Sequence, residues 1–259
     1  MRQKLSAKNI LRRLTPPILW DAAKALTAKP VPIYPTREAA VAAAGAYSDS
    51  LVNEFRVARE DLNRNAHLDA DIRHLPLTGI VKVLGGKAAI TDFGGATGEI
   101  GRALKKIFPD VQYTVVENPT MAALMATRDQ TVQFSTSLPE SCDVFFTSST
   151  LQYLPEPYEL LVKGLRSARF AALLARNSFS KSPIFRVQQS YLFENGRGVI
   201  PEGFKNVRIS YPHQTIQEDR VLELADKNGF MLASRIPKDD GIFPYLDLVY
   251  GAELTFLRK

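Results

Sequence analysis

Asp92, Glu117 and the glycines between them are the residues whose types and spacing best suit chemistry. Asp92 stands at the end of an apolar run and is followed by Gly94, Gly95, Gly98 and Gly101. Glycine admits backbone with positive φ and lets a ligand come close to the main chain. Residues 102–108 have helical spacing, so the segment reads as strand, glycine turn and helix, and the helix start offers unpaired N–H groups. At the strand end, Asp92 can accept hydrogen bonds from a cationic or hydroxylated ligand. Glu117 closes the next apolar run, 111–116, where an acid can hold a ribose through its hydroxyls. These features in this order mark a site for a nucleotide-derived cofactor in a doubly wound sheet. No register of the loop gives G-x-G-x-x-G, which counts against NAD.

Positioning these groups requires alternating strands and helices. After Glu117 a helix is expected over about 120–127 and a short extended piece at 132–134. Asp143 opens and Ser148 closes the fourth strand, and residues 149–154, with Gln152 and Tyr153, form the turn after it. Glu156 sits between two prolines that begin a helix to about residue 167. The fifth strand, 170–175, ends in Arg176, a position suited to anchoring an anion because ligands bind at the carboxyl ends of strands in these sheets. His213 lies in the long segment before a helix over 220–228, where a surface-loop histidine and a catalytic one weigh equally. The 180–210 insertion is expected to shape an acceptor pocket. Strands over 230–236 and 248–257 pair antiparallel. Upstream, helical spacing runs from about residue 36 to 65 with a break at Gly45, and a short helix spans 77–84. The expected division is an arm at 1–29, an N-terminal helical cap at 30–84 and an α/β domain at 85–259. His67 and His74 could share a helix face, but a catalytic zinc normally takes three protein ligands, so no metal is expected.

The chain has 259 residues, 45% of them hydrophobic, ample for a core. Its single cysteine, Cys142, excludes an internal disulfide and a cysteine-rich metal site, and fits a reducing compartment. No apolar run approaches the roughly 18 residues of a membrane span, and the apolar core of a secretory signal is missing. The net charge of +6 is carried by residues 1–29, where Arg2, Lys4, Lys8, Arg12, Arg13, Lys24 and Lys29 face only Asp21 and the rest of the chain balances. The body therefore gives no sign of a nucleic-acid groove, and no nucleic-acid partner is expected. The arm also holds Ile10, Leu11, Leu14, Ile18, Leu19 and Trp20, with Pro16 and Pro17 dividing it. It reads either as a solvated basic arm or as two short pieces that bind an anionic membrane surface. The expected location is cytoplasmic, peripheral on the inner membrane. The oligomeric state is not legible.

The glycine turn resembles motif I of class I S-adenosylmethionine-dependent methyltransferases, D/E-x-G-x-G-x-G. Asp92, Gly94 and Gly98 match it and Ala96 replaces the middle glycine. Asp-Phe-Gly-Gly at 92–95, Val-Val-Glu at 115–117 and Ser-Ser-Thr-Leu-Gln-Tyr-Leu at 148–154 look like a bacterial methyltransferase family found with genes for lipopolysaccharide and other surface polysaccharides. The likeness covers about residues 30–257. It implies a Rossmann-like sheet, mostly parallel with an antiparallel last strand, carrying an N-terminal helical extension. It also implies S-adenosyl-L-methionine as cofactor, held by Asp92, Gly94, Gly95, Gly98, Glu117, Asp143 and Ser148, and methyl transfer to a small-molecule or glycan acceptor, a sugar or surface-glycan precursor. Such an enzyme must align the acceptor with the methyl carbon, and an oxygen acceptor also wants a base. Many small-molecule O-methyltransferases carry a histidine near the place of Gln152, and glutamine cannot take its role. Tyr153, Glu156 and His213 are then the catalytic candidates, with Gln152 and Arg176 toward the acceptor. Two other classes stay open: a non-catalytic protein of this fold serving as a partner in a membrane assembly, and a nucleotide-sugar or NAD enzyme on a related fold.

Overall fold

The computed structural model describes residues 32–44, 50–65, 75–196, 198–238 and 249–259. The basic arm and the His67 and His74 pair lie outside the described residues. Among the described residues, four elements precede the strand that leads into the glycine turn: β1 (Ile33–Tyr34), α1 (Arg37–Ala44), α2 (Ser50–Asn65) and α3 (Leu75–Val83). The alternating part follows with β2 (Ala89–Phe93), α4 (Glu99–Ile107), β3 (Gln112–Val116), α5 (Pro119–Ala126), β4 (Gln133–Ser135) and β5 (Cys142–Ser148). Then come α6 (Pro157–Ser167), β6 (Ala168–Phe179), β7 (Phe185–Tyr191), β8 (Arg208–Gln214), α7 (Glu218–Lys227), β9 (Phe230–Lys238) and β10 (Tyr250–Arg258).

Seven strands form one sheet in the order β4-β3-β2-β5-β6-β10-β9. Strands β2 to β6 are parallel, and β10 runs antiparallel to both of its neighbours. The chain leaves β2 toward β3 and β4, then returns to add β5 and β6 on the other side. That reversal puts the topological switch point between β2 and β5, where open α/β sheets bind ligands beyond their carboxyl ends. This is the Rossmann-like class I methyltransferase arrangement that the resemblance implies.

The central strand shows why the order is stable. Residues 142–148 read as a nearly unbroken apolar run because β5 is covered on both faces, as parallel strands are. Successive side chains alternate across the sheet: Phe145 packs with Leu161, Leu165, Val221 and Phe256 under α6 and α7, while Val144 and Phe146 pack with Leu77, Val81, Ile90 and Leu104 under α3 and α4. The N-terminal extension is thus divided. Helix α3 belongs to a face of the main sheet, and α1 and α2 belong to a second layer.

That second layer is the part the sequence did not announce. Strands β1, β7 and β8 form a separate antiparallel sheet in the order β1-β7-β8. Residues 33–34, read as part of an extended linker, supply an edge strand, and the 180–210 insertion supplies β7 and leads into β8. Helix α2 lays Val52 and Phe55 against Leu192, Ile209 and Tyr211. Phe55 stacks on Phe193, with ring centroids 5.7 Å apart, and meets Phe204 edge-on.

Candidate cofactor and acceptor site

The register Phe93–Val116 and Phe93–Thr147 ends β2, β3 and β5 level with one another. The next residues of each strand, Gly94, Glu117 and Ser148, therefore meet at the switch point. Gly94 has φ +75° and donates its N–H to the Val116 carbonyl at 2.9 Å. A Cβ on Gly94 would collide with the Thr150 side chain, and one on Gly95 would collide with the Asp92 carboxylate. Gly98 has φ +78°, and a Cβ there would stand 2.8 Å from Val132. Glycine is therefore required for space as well as for conformation. Ala96, at the motif's middle position, adopts φ +49°. Its N–H donates to Glu117 Oε1 at 3.0 Å, and Glu117 Oε2 accepts from the Asn118 N–H at 2.9 Å and Asn118 Nδ2 at 3.0 Å. The second acid is thus held against the glycine turn.

Asp92 lies at the floor, buried, and accepts the Tyr113 hydroxyl at 2.8 Å. Burial raises its carboxyl to about 7, the Tyr113 hydrogen bond opposes this, and the neighbouring Glu117 adds to it. Burial beside Asp92 pushes the Tyr113 phenol well above its usual value. Gly101 permits this pairing, since a Cβ there would meet the Tyr113 ring.

These groups border a cavity of about 1020 Å³. Its other wall comes from Ser148 at the end of β5, Ser149, Thr150 and Tyr153 after it, Arg176 on β6, Gln188 on β7, Tyr211 on β8, and Asn53, Arg56 and Asn63 on α2. Among the described residues, three that are not glycine have positive φ: Ala96, Ser149 (+57°) and Arg176 (+52°). All three border this cavity. Left-handed backbone costs a residue with a Cβ about 1–2 kcal/mol, and such strain concentrates at functional sites.

The sequence-predicted residues divide accordingly. Asp92, Gly94, Gly95, Glu117, Ser148, Tyr153 and Arg176 border the cavity, and Gly98 turns the chain into α4 beside it. Asp143 does not join them. It stands at the amino end of β5, where it accepts the Ala89 N–H at 2.8 Å and pairs with Arg169 at 2.8 Å, so it closes the opposite end of the sheet. The expectation that both ends of residues 143–148 face the ligand is corrected by the direction of a parallel strand. Gln152 is buried behind the wall, donating to Ser149 Oγ at 3.0 Å and to the Arg176 carbonyl at 3.4 Å, and so braces the two strained residues. Glu156 is exposed at the start of α6, outside the cavity wall.

His213 is also behind the wall, buried in β8. Its ring meets Tyr153 edge-on at 5.4 Å, and its Nδ1 accepts from Arg186 Nε at 3.5 Å. Burial, helped by Arg186, holds its imidazole well below the usual value, so it is neutral at physiological pH. Arg186 itself is brought down to about 10 by burial. The sequence reading also missed Asn53, Arg56 and Asn63. Their helical spacing on one face of α2 was a usable signal, masked because that segment was read only for its apolar stripe.

No sequence-family model matches this chain, and no curated protein matches it. Solved structures with a similar chain path include magnesium protoporphyrin IX methyltransferase from Synechocystis, crystallised with S-adenosylmethionine. It is 12% identical with a TM-score of 0.46, and the match covers 100% of both chains. An S-adenosylmethionine-dependent methyltransferase from Clostridium acetobutylicum is 8% identical with a TM-score of 0.48 over 77% of this chain and 96% of that one. The O-methyltransferase of a polyketide multienzyme from Brevibacillus brevis, in complex with S-adenosylhomocysteine, is 11% identical with a TM-score of 0.48 over 71% of each chain. The fold assignment itself rests on the strand order and register above. Among the described residues no cluster of metal-ligating side chains occurs, and no helix is long and apolar enough to cross a membrane.

Proposed function

We propose that this chain is an S-adenosylmethionine-dependent methyltransferase acting on a polar small molecule, a sugar or surface-glycan precursor. One observation carries the reading: a glycine turn that no side chain can enter, an acid held against it and three strained residues converge on one cavity at the sheet's switch point. The residues fit the cofactor. Gly94 and Gly95 leave bare backbone, Glu117 offers carboxylate oxygens for the ribose hydroxyls, Asp92 faces a cationic group, and Ser148 lies at the end of β5. When bound, the cofactor supplies an electrophilic methyl carbon.

The chain's own residues hold the acceptor. Tyr153 borders the cavity and donates its hydroxyl to Gln188 Oε1 at 3.4 Å, which fixes its ring beside the place of an acceptor hydroxyl. Tyr153 is the catalytic residue we assign, orienting that hydroxyl as its proton leaves to water. His213, neutral and packed behind, positions the Tyr153 ring. Arg176, held through Nε to Ser148 Oγ at 3.0 Å, faces the acceptor. The basic arm 1–29 would keep the chain on the anionic cytoplasmic face of a membrane, and vesicle sedimentation with and without residues 1–29 tests that part separately.

Calorimetry of the full chain with S-adenosylhomocysteine, S-adenosylmethionine and NAD tests the cofactor. The two adenosyl compounds should bind and NAD should not, and Glu117→Ala should weaken binding by about 1–3 kcal/mol, the value of a hydrogen bond to a charged group. NAD binding with silence from both adenosyl compounds would overturn the reading. Binding without turnover on any phosphorylated or neutral sugar would favour a non-catalytic partner.

A further inference from the structure

The wall of the cavity opposite the glycine turn is rich in hydrogen-bond donors. Asn53 on α2 is 5% exposed, borders the cavity, and has no partner for Nδ2. A buried amide donor left unmade is costly, so its persistence on a cavity wall points to a ligand oxygen. Arg56 follows it on the same face of α2, since residues three apart on a helix are neighbours. Arg59 also borders the cavity, buried; its two terminal nitrogens donate only to carbonyls, those of Phe193 at 2.9 Å, Asn195 at 3.3 Å and Gly198 at 3.0 Å, and its Nε has no partner. Arg176 enters from β6 and pairs with no carboxylate among the described residues. Acids do occur on this wall, but they are engaged. Glu60 is taken by Arg64 and Arg102. Glu194 accepts the Tyr191 N–H at 2.8 Å.

From this we infer that the acceptor carries an oxyanion, a phosphate ester or a carboxylate, and that Asn53, Arg56 and Arg176 clamp it. The inference rests on the methyltransferase reading for the word acceptor, though the clamp itself can be tested without it. A neutral polyol could satisfy the Asn53 amide, but it would leave the buried guanidinium charge of Arg59 without a counter-charge. Hydrogen bonds between ionised groups are about twice as strong as neutral ones, and an oxyanion can take all of these donors at once. The acids of the opposite wall, Asp92, Glu99 and Glu117, would repel the same group. An anionic acceptor therefore has one orientation in the cavity, with its charge toward α2 and its reacting end toward the glycine turn.

The test titrates inorganic pyrophosphate, glucuronate and glucose into the full chain saturated with S-adenosylhomocysteine. One of the two anions should bind and glucose should not. The anion that binds tells phosphate from carboxylate. Arg176→Gln and Arg56→Gln should each weaken that anion on the order of ten- to a hundredfold, the loss expected for a hydrogen bond between charged groups. Asn53→Leu should weaken it too without lowering the melting temperature, because it removes an unpartnered buried donor. That variant guards against mistaking unfolding for lost binding. Equal anion affinity in all variants, or no anion binding beyond glucose, would overturn the clamp. So would anion binding abolished by S-adenosylhomocysteine, with Arg56→Gln weakening that compound but not methylthioadenosine, since the donors would then serve the cofactor's own carboxylate. If S-adenosylhomocysteine fails to bind while the chain alone binds pyrophosphate through these residues, the methyltransferase reading falls and the clamp stands.

Discussion

The two walls of the cavity are made of different materials. The glycine-turn wall is mostly main chain: residues 92–98 and 116–118 come from adjacent strand ends, and their backbone N–H groups donate to neighbouring carbonyls and to the Glu117 carboxylate. The cap wall is side chain: its groups come from α2, β6, β7 and β8, brought together by packing of Val52 and Phe55 on the second sheet. A backbone wall can be specified by a short stretch of sequence. A side-chain wall exists only if remote segments dock in register, so it is the wall that can drift while the fold persists.

Arg102 joins the two. It sits on α4, directly after the glycine turn, and donates to the Thr97 carbonyl at 2.6 Å and to Asp129 at 2.6 Å, and it also pairs with Glu60 on α2. Arg64 reaches the same two acids, Asp129 at 2.8 Å and Glu60 at 3.3 Å. Asp129 and Glu60 are both nearly inaccessible, and burial raises the Glu60 carboxyl above its usual range. Removing one partner from a buried network leaves uncompensated charge, at a cost of about 3–5 kcal/mol. Arg102→Met should therefore cost that much in urea unfolding, the largest effect we expect. It should also weaken S-adenosylhomocysteine, because the glycine turn loses its tie to the cap. A loss below about 1 kcal/mol, the range of surface ion pairs, would mean that the walls are held together elsewhere.

The same division explains what the sequence disclosed. Asp92, the glycines and Glu117 were legible because strand, turn and helix are local patterns and each sits at a strand end. The antiparallel β9 and β10 pair was legible for the same reason. Asp143 misled because a strand has two ends and apolar periodicity does not say which faces the ligand; only the parallel pairing with β2 decides it. Strands β7 and β8 were not legible. Their polar residues, such as Gln188 and Gln189, look like loop in isolation, and their partner β1 lies far away in sequence. His213 looked like a catalytic candidate by type, but β8 turns it behind Tyr153.

The floor of the backbone wall can be probed by pH. The Asp92 carboxyl releases its proton near 7 in the folded chain, against about 4 when unfolded. Between those values the folded chain binds more protons than the unfolded one, so stability falls as pH rises. The contribution is fully present below the unfolded value and is lost as pH climbs through about 7. Asp92→Asn keeps an acceptor for the Tyr113 hydroxyl and should flatten that part of the melting-temperature profile, gaining at pH 8 and not at pH 4. A cationic cofactor favours the ionised form, so its binding should tighten as pH rises toward 7 and should release a proton, measurable by calorimetry in buffers of different ionisation enthalpy. An unchanged profile in Asp92→Asn would remove Asp92 as the titrating group.

The smallest effect concerns Ala96, where the sequence departs from the motif. Its φ of +49° is a conformation glycine adopts without cost, whereas a Cβ there costs about 1–2 kcal/mol. Glycine gives part of that back through the greater freedom of the unfolded chain, about 0.4–1 kcal/mol. Ala96→Gly should therefore stabilise the protein by about 1 kcal/mol or less, a rise of a few degrees at most in a chain of this size. Its N–H already holds Glu117 Oε1, so cofactor affinity should stay within about twofold, as expected when no hydrogen bond is lost. Ser149 and Arg176 carry the same strain on the facing wall, but their side chains border the acceptor half, so glycine there should give similar stability while costing acceptor binding. If Ala96→Gly instead weakens S-adenosylhomocysteine more than tenfold, the alanine methyl is itself a contact surface. The backbone wall would then depend on a side chain after all, and the contrast between the two walls would narrow at the motif's own centre.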